Sequence, residues 1–441
     1  MKKLLCLLLA AAMLLTLAAC GGSAPAEKPA EAPKAEAPAE KPAEKPAEAP
    51  KAEPVTLTVL WGQSTTDAGL EDMIDEAMAA KYPHISIEWE CVDWGNDFQP
   101  KMQQYMQSGL PDIMIGKAQD VATYNALGVL GEIGSEYVDR GVSGAADNVT
   151  IDGTTYGMII NALYQGVYYN RAMFAENGWE VPATLDELQA IIDDCNAKGI
   201  VPFASHMVDT WSIGNVTMQY MTNDVFNHVA DWGDKFRAGE VNFATDEMAQ
   251  AAYMNNKLVF DNTFPETFSL DQASCDAKLV LGEAAMKVSG SWSIQQFLDI
   301  DDTFDFGIFP FPNKTGDSKL IFEPNITVMT YAETDKQEAV DAFLDIITGD
   351  KELLTAMMDY TKTASMIDGV TATFANPSQA DVDKYAAAGM ITDVTLGNTQ
   401  LIWGGFQEEN AADIAAWLQG DITFEQCLAA SDARVDASSA G

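Results

Sequence analysis

The chain has 441 residues, 47% of them hydrophobic, which is too many for one ordinary core and ample for two lobes. Its 66 Asp and Glu against 25 Lys and Arg give a formal net charge of −41. Such a surface repels nucleic-acid phosphates and anionic headgroups, so nucleic acid is excluded as a partner and neutral or cationic ligands fit better.

Lys2 and Lys3 precede the apolar run Leu4 to Ala19, 16 residues ending in small side chains. A spanning helix needs roughly 18 or more, so residues 1–19 read as a removable export signal. Leu17-Ala18-Ala19-Cys20, followed by Gly21-Gly22, resembles the lipobox of bacterial lipoproteins. The resemblance implies that the Cys20 thiol carries a diacylglycerol, and two or more acyl chains would anchor the protein stably to the outer face of the cell membrane. Residues 20–54 then cycle through Pro, Ala, Glu and Lys with no large apolar residue, and eight of the 18 prolines lie here. Regular prolines block helix and mixed charges keep the segment solvated, so it is a tether reaching on the order of 100 Å in polyproline II form.

Beyond Pro54 the pattern is α/β. Val55, Leu57 and Val59 alternate as in a strand; Leu70, Met73, Ile74, Ala77 and Met78 have helical spacing; Ile85, Ile87 and Trp89 alternate again. Phe98, Met102, Tyr105 and Met106 mark a second helix, and Pro111 to Gly116 a short strand. Thr184 with Glu187, and Asp335 with Glu338, have capping-box spacing ahead of two helices. Phe304 to Pro312 reads as a strand running into an exit loop, and the alternation favours a parallel or mixed sheet flanked by helices.

Catalytic signatures are absent from the sequence. His84, His206 and His228 have no metal-ligand spacing with each other or with cysteine, and a solvated or core imidazole is expected for each. The Gly290-Ser291-Trp292-Ser293 segment lacks the last glycine of a nucleophile elbow. The acidic run Asp299, Asp301, Asp302, Asp305 lacks the glycine of a calcium loop. Neither a metal nor a cofactor is expected. Cys91, Cys195, Cys275 and Cys427 show no CxxC spacing; three disulfide pairings are possible, and small buried hydrophobes are the ordinary alternative.

Several segments in order, VTLTVLWGQ, KYPHISIEWECVDWGNDFQPKMQQYMQSGLPDIMI, IDGTTYGM, GVYYNRAMFAENGWEVPATLDELQ, LGEAAMKVSGSW and FDFGIFPFPN, resemble the extracellular solute-binding proteins of carbohydrate ABC importers. The resemblance implies a type II periplasmic-binding-protein-like fold, two α/β lobes joined by a hinge. It also implies no enzymatic activity, but a monomer that closes on a carbohydrate and delivers it to ABC transporter permease subunits. The first lobe is expected over residues 55–162 with a return at 319–367, and the second over 163–318 with the tail 368–441. Hinge segments would then lie near Ala162, Lys319 and Asp368.

A pyranose has an apolar C–H face and a rim of hydroxyls, which match aromatic rings and Asp, Glu, Asn or Gln respectively. Trp61, Trp292 and Trp403 are the expected platforms: Trp61 with Gln63 at the end of the first strand, Trp292 after a Gly-Ser turn, Trp403 beside Gly404 and Gly405. Tyr164 lies at the passage between lobes, Asp209 and Trp211 in one loop of the second lobe, and Glu323 and Asn325 at the return to the first. Trp94 and Asp112 complete the ligand-binding set, with Lys117 and Asp120 nearby; Tyr168, Tyr169 and Asn170 are expected to brace the fold. The acidic balance and nine tryptophans favour a neutral oligosaccharide. A surface sensor or adhesin on the same fold and a secreted glycoside hydrolase are the competing readings.

Overall fold

A computed structural model describes residues 53–64, 67–94, 97–394 and 406–438. The signal, Cys20, the tether to Ala52 and Trp403 lie outside the described residues. The chain lays down β1 (Val55–Gln63), β2 (Ile85–Asp93) and β3 (Ile113–Gly116), then a small hairpin of β4 (Thr150–Ile151) and β5 (Thr154–Thr155). β6 (Met158–Ile159) and the long β7 (Asn161–Asn170) follow, then β8 (Val201–Phe203), β9 (Ala284–Gly290), β10 (Phe306–Phe309) and β11 (Leu320–Pro324). β12 (Thr327–Thr330), β13 (Ala364–Ser365) and β14 (Ile391–Asp393) complete the strands described.

Apart from the β4–β5 hairpin, these strands form two sheets, each packed against its own apolar residues. The first has the order β2-β1-β3-β12-β6, with β1, β2 and β3 parallel and β12 antiparallel. Side-chain alternation sends Leu57, Val59 and Trp61 to one face and Leu60 to the other, so both faces are covered and the strands read as near-continuous apolar runs. The second sheet has the order β14-β11-β7-β9-β8, and β10 and β13 also pair with β7. β11 and β10 share one edge of β7, in register at Ala162 to Gln165 and Val167 to Asn170. Gly166 sits at their junction, where an added Cβ would come 2.6 Å from the Phe309 carbonyl, so the close approach of β10 requires glycine.

Sequence periodicity placed the helices well. Leu70, Ile74 and Met78 are the buried face of Leu70–Lys81, Phe98 and Met102 that of Phe98–Ser108, and the Thr184–Glu187 box caps Leu185–Lys198. The second expected box does not form, because the helix starts at Gln337 after Lys336 rather than after Asp335. There the Lys336 N–H donates to Thr334 Oγ1 at 3.1 Å and its Nζ reaches Asp112 at 2.9 Å, which draws the entry toward β3. Cys91, Cys195, Cys275 and Cys427 are all free thiols, the last three buried.

The chain passes between the sheets at Ile160, at Asn325–Ile326, and again after β13. The second passage falls a few residues beyond the expected Lys319, because β11 keeps pairing with β7 until Pro324 faces Ala162. Proline has no N–H for the ladder, and pairing stops there. Asn161, fully buried, ties the three passages together. Its Oδ1 accepts from the Ile326 N–H at 2.8 Å, its Nδ2 donates to Thr363 Oγ1 at 2.9 Å, and its carbonyl accepts from the Asn325 N–H at 2.9 Å. Beside it the Ile160 carbonyl accepts from the Met366 N–H at 2.9 Å. Asn161→Ala would orphan a buried N–H and leave the Thr363 hydroxyl short of a partner, a cost of about 2 to 4 kcal/mol. A lower denaturant midpoint with an unchanged m-value would show it; an unchanged midpoint would mean the passages hold without this clasp.

Candidate functional site

The C-terminal ends of β1 and β3 and the passage at Asn325 bring a buried polar cluster together. Lys117, just past β3, donates from Nζ to Asn325 Oδ1 and lies 3.9 Å from Glu323 Oε1. Glu323 in turn accepts from Gln165 Nε2, and Gln165 Oε1 accepts from Asn215 Nδ2 at 2.6 Å. Gln219 Nε2 donates to Asn215 Oδ1 at 3.1 Å, so hydrogen bonds run from Glu323 through Gln165 of β7 into the second lobe's helix Thr210–Tyr220, and the ion pair with Lys117 links Glu323 to the first sheet.

Asp67 and Asp120 close this wall. The Asp67 carboxylate accepts from the Ser64 N–H at 2.9 Å and hydroxyl at 2.7 Å, while its Oδ1 and the Asn325 Nδ2 are buried with no hydrogen-bond partner among the described residues. Burial raises the Asp67 pKa more than the nearby Lys117 charge lowers it. Asp120 caps the helix Ala118–Ala126, accepting from the Lys117 N–H at 2.8 Å and Gln99 Nε2 at 2.8 Å, and burial raises it too. Trp94 is half-buried beside them, with Lys117 Nζ 5.2 Å from its ring and its Nε1 3.4 Å from Asp120.

The second wall is aromatic. The half-buried rings of Trp211 and Trp292 meet edge to face at 5.9 Å, and His206 lies 5.2 Å from Trp211. Trp292 stands between two anchored serines. Ser291 Oγ accepts from the Tyr164 N–H at 3.1 Å, and Ser293 Oγ lies 2.9 Å from Ser289 Oγ. The ring folds back over Gly290, where any Cβ would overlap it, which is why glycine is required there. Trp292 Nε1 and His206 Nε2 are buried with no hydrogen-bond partner among the described residues. Tyr164, half-buried, packs edge-on against Phe322 at 5.7 Å and joins the two walls.

Of the residues expected from sequence, Trp94, Tyr164, Asp209, Trp211, Trp292, Glu323 and Asn325 fall on these walls. Gln63 lies at their margin, donating to Glu71 at 2.9 Å. Trp61 does not join them. It is 1% exposed and packs against Trp89 at 5.7 Å in the first-sheet core, because its position in β1 is in phase with Leu57 and Val59. Asp112 is also structural, at the opposite end of β3, where it accepts from the Thr58 N–H at 2.8 Å, Thr334 Oγ1 at 2.7 Å and Lys336 Nζ at 2.9 Å. Trp403 lies outside the described residues. Sequence reasoning missed Asp67, Gln165 and Asn215, which have no motif; only the fold brings them to the passage.

A cavity of about 610 Å³ lined by Lys81, Arg140, Asp345 and Lys351 shares none of these residues. Asp345 pairs there with both Lys81 and Arg140, at 2.5 and 3.0 Å. Among the described residues no group of His, Cys, Asp and Glu is arranged to hold a metal, and no helix is long and apolar enough to cross a membrane.

Two lobes, each on its own sheet, with polar and aromatic walls meeting at the strand passages, are the architecture of a solute-binding protein. The family profile of the bacterial extracellular solute-binding proteins matches residues 61–353, and the chain belongs to that family. It is similar to the multiple sugar-binding protein of Streptococcus mutans, 21% identical over 306 residues that cover 68% of this chain and 72% of the relative. Among solved structures it resembles a chitin oligosaccharide binding protein, with a TM-score of 0.75 at 20% identity over 88% of this chain and all of the other. It likewise resembles the RafE protein in complex with raffinose, with a TM-score of 0.71 at 18% identity over 86% of this chain and 98% of the other. The protein is, by its family, a solute-binding protein.

Burial and the Lys287 charge lower the His206 pKa to about 3, from an ordinary 6.5, against weaker attraction from Asp271. The imidazole is therefore neutral, and the 3.9 Å approach of Asp209 to Nε2 is no salt bridge. Asp209 itself is raised by burial and by repulsion from Asp271 and Asp93. Because the unfolded chain takes up the His206 proton near pH 6.5 while the folded one refuses it until about pH 3, acid draws the equilibrium toward unfolding across that window. His206→Gln should remove this loss, so that below about pH 6 wild type falls behind the variant by at most about 1.4 kcal/mol per pH unit. Parallel stability curves in denaturant at successive pH values would refute a buried neutral imidazole.

Proposed function

We propose that the protein is a lipid-anchored component of an ABC importer that captures a neutral oligosaccharide between its lobes and delivers it to the permease. The observation that carries the reading is the Trp211–Trp292 pair, two half-buried rings in contact at the passage where Lys117, Glu323 and Gln165 meet. Indole faces suit the C–H face of a pyranose, and the polar groups around them suit its hydroxyls. The similar proteins, a multiple sugar-binding protein, a chitin oligosaccharide binding protein and RafE with raffinose, support the same reading.

Capture works by hinge closure. A ligand touching both walls stabilises the closed state over the open one only by its extra contacts in the closed state. The three passages clasped by Asn161 are the proposed hinge. Cys20 and the proline-rich tether keep the protein at the extracellular face of the membrane, as a monomer, near the permease subunits.

Thermal unfolding of the tether-free domain with mono- to hexasaccharides tests the ligand class. A saccharide present at about 100 times its Kd should add roughly 2.7 kcal/mol. Trp292→Ala should weaken that saccharide more than about tenfold and leave the unliganded melting point nearly unchanged. A panel in which only peptides or polyamines stabilise the protein defeats the sugar reading. A fall of about 3 to 5 kcal/mol in unliganded stability for Trp292→Ala would make the ring core instead of platform. Cys20→Ser should release the protein from membranes of expressing cells into the soluble fraction; retention of the variant on the membrane would remove the lipid anchor from the proposal.

A further inference from the structure

The loop 204–209, between β8 and the helix Thr210–Tyr220, is pinned on several sides. The Ala204 N–H donates to the Met286 carbonyl at 2.8 Å, and the Met207 N–H to the Thr267 carbonyl at 2.9 Å. Thr267 Oγ1 donates to the Ser205 carbonyl at 2.7 Å, and Ser212 Oγ to the His206 carbonyl at 2.5 Å. The backbone that carries His206 and Asp209 is thus set before any ligand arrives, with the imidazole edge-on to Trp211.

The polar atoms these two side chains present are left unused. Asp209 has the extended backbone of a helix cap, where Asp ordinarily accepts from the N–H groups of the first turn, yet its carboxylate makes no capping bond. His206 is 3% exposed, and its Nε2 has no hydrogen-bond partner among the described residues. An unmet polar atom at such depth is destabilising and rare. Here it faces the carboxylate that forgoes its cap.

Asp209 Oδ2 lies 3.9 Å from that Nε2, too far for a bond between them, but one oxygen about 2.8 Å from each fits between the two. A carboxylate only accepts, so the incoming oxygen must carry a proton for Asp209, and its lone pair then takes the Nε2–H of the neutral imidazole. A hydroxyl does both. An ether oxygen has no proton to give, and an ammonium has no lone pair to accept with. The Asp209 side chain is 43% exposed and uncommitted to the helix, so it can turn as such a group enters.

We propose that His206 and Asp209 together read one hydroxyl of the bound sugar, Nε2–H donating to its oxygen and the Asp209 carboxylate accepting its proton, beside the Trp211–Trp292 rings. The proposal rests on the sugar-binding reading and adds to it a position at which a hydroxyl is required. An indole face accepts any apolar pyranose face, whereas a site built to bond a hydroxyl rejects the analogue that lacks it.

The first test needs no ligand. Long-range proton–nitrogen spectra of the unliganded protein, with His206 assigned by its loss in His206→Gln, should show a neutral ring protonated on Nε2; protonation on Nδ1 alone overturns the proposal. The second titrates raffinose and chitotriose into the intact protein. His206→Phe and Asp209→Ala should each weaken the saccharide that binds about tenfold, and the double variant little more than either, because both act on one hydroxyl. Among monodeoxy analogues of that saccharide, one position should cost wild type at least about tenfold and the double variant nothing. Asp209→Ala should melt within a few degrees of wild type, since no capping bond is lost. If His206→Phe does not fold, Asp209→Ala with the deoxy analogues carries the test. A saccharide whose affinity neither variant moves overturns this proposal and leaves the sugar reading standing. Binding of neither saccharide counts against the sugar reading, while the tautomer still decides the donor on which this proposal depends.

Discussion

The architecture hangs on the Asn161 side chain, which is the point where three separate stretches of chain, far apart in sequence, are obliged to run side by side. One amide accepts from the Ile326 N–H and donates to Thr363, while its own backbone takes the Asn325 N–H. A fully buried amide is costly unless its donors and acceptors are met, so the partners must come with it. Asn325 is one of those partners, and it is also the residue that receives Lys117. The clasp therefore sets the position of the polar wall as well as the connection between the sheets.

From that point the two walls follow by different physics. The first is polar and sealed, with Asp67, Asp120 and Glu323 gathered about Lys117, and burial raises the first two carboxyls despite the cation. Unmet atoms remain on it, Asp67 Oδ1 and Asn325 Nδ2. The second is aromatic, and its unmet atoms are Trp292 Nε1 and the neutral His206 Nε2. Unmet buried groups are rare in folded proteins, and their occurrence on both walls distinguishes this region from the paired charges around Asp345. The same wall shows how a flat ring is held out. Gly290 makes room for the indole, and the serines on both sides are held by the Tyr164 N–H and by Ser289.

Helices and strands were legible in the sequence because their signal is local. Leu70, Ile74 and Met78 repeat with the helix, Thr184 and Glu187 cap one, and the ordered segments from VTLTVLWGQ to FDFGIFPFPN carry the family resemblance. The α/β class and two-lobe fold followed from these. Failures came where a longer-range contact decided the outcome. Asp335 and Glu338 have the spacing of a cap, but the tie from Lys336 to Asp112 moves the helix start. Asp112 looked like a polar residue available to a ligand and is used up by Thr58, Thr334 and Lys336.

By itself the sequence determined the class of fold, the family, the order of elements and the identity of Trp292 and Trp211 as rings worth examining. These depend on periodicity, turn chemistry and motif order, all of which are written along the chain. Tertiary structure alone decided that Trp61 is core, while Trp292 stays half-buried against Trp211. Both are tryptophans beside small residues near the end of a strand, but Trp61 stays inside β1 in phase with Leu57 and Val59, whereas Trp292 falls in the turn just past β9. It likewise decided that Asp67, Gln165 and Asn215 belong with Lys117, Glu323 and Asn325, because residues distant in sequence become neighbours only where the chain crosses between its two sheets.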